Sequence, residues 1–565
     1  GRVEGHVHAF ELRSGIGGTL VADPDFTAQP AGAGYFTDPV AGAANLWTLE
    51  GGASITSRHW RFHGEVAEWP VSWDISGQDV YTQITAAGVL RRLGQGASAL
   101  KSTMYRGLVT LATNPPLVYW PMEDASGSTR FASGLPGGQP MQIYGTPSLA
   151  SSDVFACSDN LPTINNARFT APVPVYAATG ESQVRFLLSI PSGGTTDGAI
   201  VCRILTSGTA RRWDLRYDTD FAGSFSLLVY DGDGTLIHTS GSGTNPLDGL
   251  ALRVSVELTQ NGSAVDYTVM TNEVGQGFGA GGAGTVTGVT VGAVTSISID
   301  PTTNLDDITI GHLSVHDAIT NILDLADETS AYVGETAGRR FERLCGEESI
   351  PFRSIGDLDT TEPMGAQTPT KLLELLQECA EADMGMLYEP RHVAGIGYRT
   401  REALLNQAAR IEIDYAASEL AAALDGTDDD QQIRNDVTVS RKGGSSARAE
   451  VAEGPLSVQD PPAGVGRYDE AVTLNVNADG RLAHLAGWRA HLGTVDEARY
   501  PQISINLAHP QFATNPALKA AVLALRPGDR LTIAGPLPQQ APDDVSVLVL
   551  GFAETISNFE HRLTF

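Results

Sequence analysis

Arg212-Trp213-Asp214-Leu215-Arg216-Tyr217-Asp218 alternates apolar and charged residues without a break. Trp213, Leu215 and Tyr217 fall on one side of an extended chain and the charged residues on the other, so the stretch reads as a strand half buried against a core. Around it, residues 114–317 are rich in Gly, Ser and Thr and lack charged helical patterns. Leu252 to Met270 reads as strand, turn, strand. The turn is placed at Asn261-Gly262, a pair suited to a type I′ hairpin because both residues tolerate positive φ. Ile308-Thr309-Ile310-Gly311-His312-Leu313-Ser314-Val315 supplies a closing strand. Short strands at this spacing predict an antiparallel β-sandwich, or jelly roll, over 114–317.

The flanks read differently. Residues 1–113 are β-rich: Val3, Val7, Phe10 and Leu12 lie in an alternating stretch, Arg61 to Trp69 is a second strand, and Val80, Thr82 and Ile84 continue the alternation beyond the Asp74-Ile75-Ser76-Gly77 turn. Ser98 is placed to cap a short helix through Leu108. After 317 the helical period returns. Thr368-Pro369 ahead of Leu372, Leu373, Leu375, Leu376 and Cys379 gives an N-cap, Pro at N1 and an apolar stripe, with the end near Met384-Gly385. Met386-Leu387-Tyr388 and Ile396-Gly397-Tyr398 then form a hairpin. Residues 405–565 read as α+β, with strands near Val437–Val439 and Val472–Leu474 and a helix bearing Leu482, Leu485, Trp488 and Leu492. A Pro527-Gly528 turn leads into Leu531-Thr532-Ile533. At 565 residues the chain exceeds what one core serves. The expected fold is a multi-domain, β-rich α+β protein in four parts: 1–113, the sandwich insert 114–317, 318–404, and 405–565.

The chain carries 37 Lys and Arg against 66 Asp and Glu, a net charge of -29. That balance opposes sequence-independent binding to a phosphate backbone, which rests on cationic side chains displacing counterions. Lys101, Lys371, Lys442 and Lys519 are the four lysines, and no basic stripe runs along the sequence. An acidic surface suits either a channel along which DNA slides or plain solubility. No apolar run approaches the ~18 residues of a membrane span. Gly1-Arg2-Val3-Glu4-Gly5 has neither the basic nor the apolar region of a secretion signal. The four cysteines lack zinc-site spacing; Cys157 and Cys202 fall in one predicted domain, where pairing is open.

Reactive motifs are missing: no lysine sits in a phosphate-binding loop, and there is no H-E-x-x-H motif or G-x-S-x-G elbow. A glycosidase needs two carboxylates across one groove. Glu123-Asp124 and Asp306-Asp307 are adjacent pairs that a strand sends to opposite faces, and they read as turn and surface carboxylates. His6-Val7-His8 lacks a third metal ligand, and His484 and His491 read as packing or solvent residues. Asp231-Gly232-Asp233-Gly234 and Asp425 to Asp430 offer oxygen ligands for calcium, but neither matches an EF-hand loop, so they read as turn and loop and no cofactor is expected. Glycan binding asks less: an aromatic ring for the sugar's C–H face and polar groups to orient hydroxyls, set on a rigid sheet. Trp213, Tyr217, Tyr230, Asp231 and Asp233 are the candidate ligand-binding residues, with core filling the competing reading for Trp213 and Tyr217.

The segment Arg61 to Asp74, running on through Ala87 to Gly96, resembles minor tail proteins of phages that infect actinobacteria. Val118-Tyr119-Trp120-Pro121-Met122-Glu123-Asp124-Ala125-Ser126-Gly127 resembles the opening strand of a concanavalin-like (laminin-G-like) domain inserted in such proteins. The part after 317 is similar to phage tail hub domains. The resemblance implies a structural virion protein at the tail tip, not an enzyme. It also implies self-assembly into a ring such as a trimer, tail tube and tail tip proteins as neighbours, and an insert projecting toward host-surface glycan. Against the family's usual pattern, the N-terminal lead-in is shortened. The alternative is a carbohydrate-active enzyme, a cell-wall or capsule glycan depolymerase with a lectin-like module, whose activity would be lost on changing Glu123 or Asp307. A bacterial surface adhesin is a third reading.

Overall fold

The computed structural model describes residues 61–565 except 78–79, 82–83, 242, 244–245, 421–423 and 538–542; before 61 it describes Leu12–Arg13, Leu20–Ala22, Tyr35–Asp38, Gly42–Thr48, Gln29 and Val40. His6 and His8 lie outside the described residues. The chain forms two compact units, Gly1–Gly88 with Pro390–Ala394, and Val89–Glu389 with Gly395–Phe565.

In the first unit the described strands pair two by two and antiparallel: Leu12–Arg13 with Leu20–Ala22, Tyr35–Asp38 with Gly42–Thr48, Glu65–Val66 with Ala86–Ala87, and Ser72–Trp73 with Val80–Tyr81. Arg61 to Trp69 is therefore not one strand; only Glu65–Val66 pairs within it. Its alternation is present, but Phe62, Trp69 and Trp73 stand exposed, so burial does not extend the ladder.

The second unit contains the sandwich. Its strands in chain order are β1 Val118–Trp120, β2 Arg130–Phe131, β3 Met141–Tyr144, β4 Ser148–Ser152, β5 Leu161–Asn165, β6 Arg168–Pro172, β7 Glu181–Ser189 and β8 Ile200–Thr206. They continue as β9 Arg212–Asp218, β10 Ser224–Tyr230, β11 Leu236–Thr239, β12 Ala251–Asn261, β13 Ala264–Glu273, β14 Ala280–Thr287, β15 Val294–Ile299 and β16 Asp306–His316. One eight-stranded sheet runs β2-β3-β6-β15-β8-β9-β10-β11; the other runs β4-β5-β16-β7-β12-β13-β14, with β1 paired to β16. The period-two pattern sends Trp213, Leu215 and Tyr217 inward against Phe186, Leu188, Val254 and Val256 of the facing sheet, all in one buried cluster. Each such side chain contributes about 1.5–3 kcal/mol through the apolar surface it removes from water.

One sequence expectation changes here. The β12–β13 turn is Gly262-Ser263, with Asn261 still in register opposite Ala264. Gly262 has φ +58, and neither Asn261 nor Ser263 is left-handed, which matches a type II′ turn rather than type I′. The expected closing strand is β16, which lies between β5 and β7. The four cysteines are free and buried. Cys157 and Cys202 belong to different packed clusters, so they do not pair.

The second sheet is mounted on the rest of this unit. Tyr119, Leu161 and Leu187 on its far side pack with Met104, Leu108, Phe155, Cys157 and Ala331. Met104 and Leu108 come from the helix Thr103–Thr110, which Ser102 rather than Ser98 caps by accepting from the Tyr105 amide. Polar side chains fasten the chain as it leaves the sandwich. Arg185 donates to the carbonyls of Thr320 and Asn321, and Arg253 to those of Ile322 and Asp324. Burial pulls both guanidinium groups down, to about 10 and about 9, and leaves them charged at neutral pH.

His316 sits in the same region, with Nδ1 2.9 Å from the Asn114 carbonyl and Nε2 3.0 Å from Ser314 Oγ. Burial, with Arg185 and Arg253 nearby, depresses its pKa from 6.5 to about 4. The unfolded chain thus takes up this proton at higher pH than the folded chain. Stability is complete above the unfolded value and falls as pH drops toward the folded one, by about 3 kcal/mol in all. Replacing His316 with Gln should flatten the fall in melting temperature between pH 7 and pH 4.5; an unchanged slope would remove His316 as the cause.

The remainder forms two further cores. Phe341, Leu375, Leu376, Tyr398, Val437 and Leu485 meet in one, built on the helices Ala337–Glu347, Leu372–Asp383 and Leu482–Leu492. Ile413, Ile505, Phe512, Leu531 and Leu563 meet in the other. The helix Leu372–Asp383 begins later than its sequence signal: Lys371 is the N-cap, and the Thr370 hydroxyl bonds the Glu374 carboxylate. Its end is as expected, with Met384 left-handed at φ 56. Met386–Tyr388 and Ile396–Arg399 pair antiparallel as the expected hairpin, with Phe352–Ile355 added in parallel.

Candidate functional site

The β2-to-β11 sheet presents its other face to solvent, and its pleat decides which side chains meet there. Residues paired across antiparallel strands share a face. One row therefore runs Arg130, Gln142, Thr170, Ser298, Arg203, Asp214, Leu228, Thr239 across all eight strands. A flanking row carries Arg212 opposite Tyr230, and another pairs Arg168 with Tyr144 and Arg216 with Ser226.

These groups lock one another in place. Arg203 makes a bidentate pair with Asp214, Nε to Oδ1 at 2.7 Å and Nη2 to Oδ2 at 2.8 Å. That hydrogen bonding raises the Arg203 pKa. Asp214 also lies 3.4 Å from Arg212 Nε, and Arg216 reaches Asp218 at 2.8 Å and Ser226 Oγ at 3.0 Å. The Arg212 guanidinium carbon lies 3.5 Å from the Tyr230 ring centroid, and that of Arg168 lies 4.5 Å from the Tyr144 centroid. The result is a fixed floor of hydrogen-bond donors and acceptors with two aromatic rings, the composition that sugar recognition requires.

The sequence candidates are divided by this geometry. Tyr230 is on the floor. Trp213 is 0% exposed, with its indole N–H donating to the Ala210 carbonyl, and Tyr217 is 0% exposed, donating to Asp248. Neither ring offers a face to a ligand, because both fill the space between the sheets. Asp231 and Asp233 lie in the β10–β11 hairpin. The Asp231 carboxylate accepts from the amides of Asp233 and Thr235, so it is committed to the turn rather than to an ion. Among the described residues, no group of three His, Cys, Asp or Glu side chains could hold a metal ion, and no helix is long and apolar enough to cross a membrane.

Glu123, read from sequence as a surface carboxylate, is buried. Burial opposes its charge, but His312 at 3.4 Å and the Asp159 amide at 2.9 Å hold it at about 2. His312 in turn meets the Tyr119 hydroxyl and Ser158 Oγ; Tyr119, His312 and Ser158 are buried, and the Glu123 side chain is 8% exposed. Asp307 is elsewhere, left-handed at φ 55 with its amide bonded to Asn165. Between the two sheets a cavity of about 260 Å³ is lined by Phe225, Leu247, Tyr267, Val269 and Gly282, with no charged side chain. Arg168, Arg203 and Tyr144 escaped the sequence reading, since only strand register brings them beside Arg212 and Tyr230.

Fold and site together define a β-rich α+β protein whose antiparallel sandwich turns a charged, aromatic sheet outward. No protein-family model and no curated protein sequence matches the chain. Among solved structures it is similar to the tail protein from Neisseria meningitidis MC58, at 10% identity over 67% of this chain and 95% of that one, with a TM-score of 0.29. It is also similar to the VIP36 exoplasmic/lumenal domain in a Ca2+/Man-bound form, at 10% identity over 33% and 86%, TM-score 0.24. A third is the enzymatically active domain of Bacteriophage CBA120 tailspike protein 2, at 12% identity over 34% and 30%, TM-score 0.25. All three scores are low, so the functional reading rests on the chain's own residues.

Proposed function

We propose that this chain is a structural protein of a phage tail tip, a hub or minor tail protein that self-assembles and displays its sandwich toward glycans of the host surface. The observation that carries the reading is the mounting of the sandwich. One sheet is buried on the rest of its unit and tied down through Arg185 and Arg253. The opposite sheet offers arginine and tyrosine side chains outward, with Asp214 and Asp218 buried among them. Display of this kind needs a rigid frame and a complementary surface, not convergent reactive groups.

The resemblance of 61–96 and 118–127 to minor tail proteins of actinobacteria-infecting phages supports the tail assignment. In this reading 1–113, 318–404 and 405–565 are hub domains and 114–317 is the displayed insert. Partners are further copies of the chain and neighbouring tail tube and tail tip proteins. The chain is not an enzyme in this reading, since the Glu123 side chain is tied to His312 and Asp307 is remote from it, at the start of β16. The test is immunogold electron microscopy of virions with antibody to the full chain, alongside light scattering of the purified protein. Label at the tail tip and an oligomeric mass are expected. Label confined to the capsid, or a monomer that releases reducing ends from cell-wall glycan, would overturn the proposal.

A further inference from the structure

Charge is distributed unevenly in this molecule. The whole chain has 37 basic and 66 acidic side chains. The Lys, Arg, Asp and Glu residues on the eight strands of the outward-facing sheet are Arg130, Arg168, Arg203, Arg212, Arg216, Asp214 and Asp218, five cations against two anions. All seven lie on the face away from the core. A cationic floor on a strongly anionic protein is a local reversal of sign.

The two aspartates do not neutralise it. Asp214 is shared by Arg203 and Arg212, and Asp218 is taken by Arg216 and Ser226. Among the described residues Arg130 and Arg168 have no carboxylate within ion-pair distance, and the Nε of Arg168 is buried without a hydrogen-bond partner. Tyr144, under Arg168, is 49% exposed. The surrounding turns are acidic, with Asp231 and Asp233 at one end and Asp197 and Asp220 at the other. That rim confines the cationic potential to the floor and disfavours a broad polyanion such as duplex DNA.

We propose that this floor binds an anionic glycan, a carbohydrate polymer carrying carboxylate or phosphate groups, through Arg168, Arg212 and Arg130, with Tyr144 and Tyr230 backing the first two guanidinium groups. The inference rests on the display reading above and narrows its ligand. Guanidinium groups suit it because their planar forks match carboxylate and phosphate oxygens, and stacking on tyrosine holds the fork in place. Arg203 and Arg216 serve mainly to hold the floor flat, since their carboxylate partners are almost fully covered.

The test measures binding of the full chain to three immobilised probes: polygalacturonate, poly(glycerol phosphate) and dextran. At least one anionic polymer should bind about tenfold or more tightly than dextran, and the affinity should fall as salt rises. The two anionic arms separate carboxylate from phosphate. Arg168→Gln with Arg212→Gln should weaken that binding about tenfold at unchanged melting temperature, and Arg212→Lys should weaken it less. If the double variant is destabilised, the salt dependence of the unaltered protein decides. Dextran bound as tightly as the anionic polymers and without salt dependence would overturn the anionic class while leaving glycan display standing. Equal binding of duplex DNA would reduce the site to a generic anion surface and overturn the inference. No binding to any probe or to host cell-wall material would overturn both readings.

Discussion

Replacing Arg253 with Ala should destabilise the sandwich by about 3–5 kcal/mol, the range expected for a large buried side chain whose partners are left without donors. Arg253 is 1% exposed, paired in register with Leu187 on one side and Asn272 on the other. Its guanidinium holds the carbonyls of Ile322 and Asp324, and Arg185 holds those just before them. Truncation removes a packed aliphatic stem and leaves carbonyls facing a void. The measurement is denaturant unfolding of the full chain, followed through the fluorescence transition of the buried Trp120 and Trp213, with limited proteolysis alongside. New cleavage should appear within 318–325. A loss below about 1 kcal/mol would mean that water replaces the donors and that the clamp is not what fixes the mount.

Trp213→Ala should cost about 3–5 kcal/mol as well, for a different reason. The indole fills the space between the sheets, and its loss opens a cavity that surrounding Leu215, Leu227 and Val229 can close only in part. Trp213→Phe keeps most of the volume and should cost under about 2 kcal/mol. Glycan binding should be unchanged in Trp213→Phe, because the ring does not reach the outward face. A variant that folds with normal stability yet loses binding would return Trp213 to the ligand and show that the sheets part when glycan is bound. Paired with Arg168→Gln and Arg212→Gln, the two substitutions separate the core from the floor on opposite sides of the same strands.

Much of the architecture was legible because it is local. The alternation at 212–218 sorts residues onto two faces whatever the neighbouring strands are, and the stripe of Leu372, Leu375, Leu376 and Cys379 does the same for a helix. Local signals failed where two answers were close in energy. Ser98 and Ser102 both precede the helix Thr103–Thr110, and packing of Met104 and Leu108 against the sandwich selects the nearer cap. Asn261-Gly262 and Gly262-Ser263 differ by one residue of register, and the long β12–β13 ladder chooses between them. Arg61 to Trp69 has a strand's pattern but not a strand's burial.

By itself the sequence determined a β-rich sandwich between α+β flanks, a large negative charge and the lack of familiar reactive motifs, since these depend on composition and short-range period. Only the tertiary structure decided that Glu123 is buried with His312, that Trp213 and Tyr217 face inward while Tyr230 does not, and that the arginines form a patch. Arg130, Arg168, Arg203 and Arg212 are far apart in the chain. They meet because antiparallel register, set by how the two sheets' apolar faces fit, carries each onto one surface.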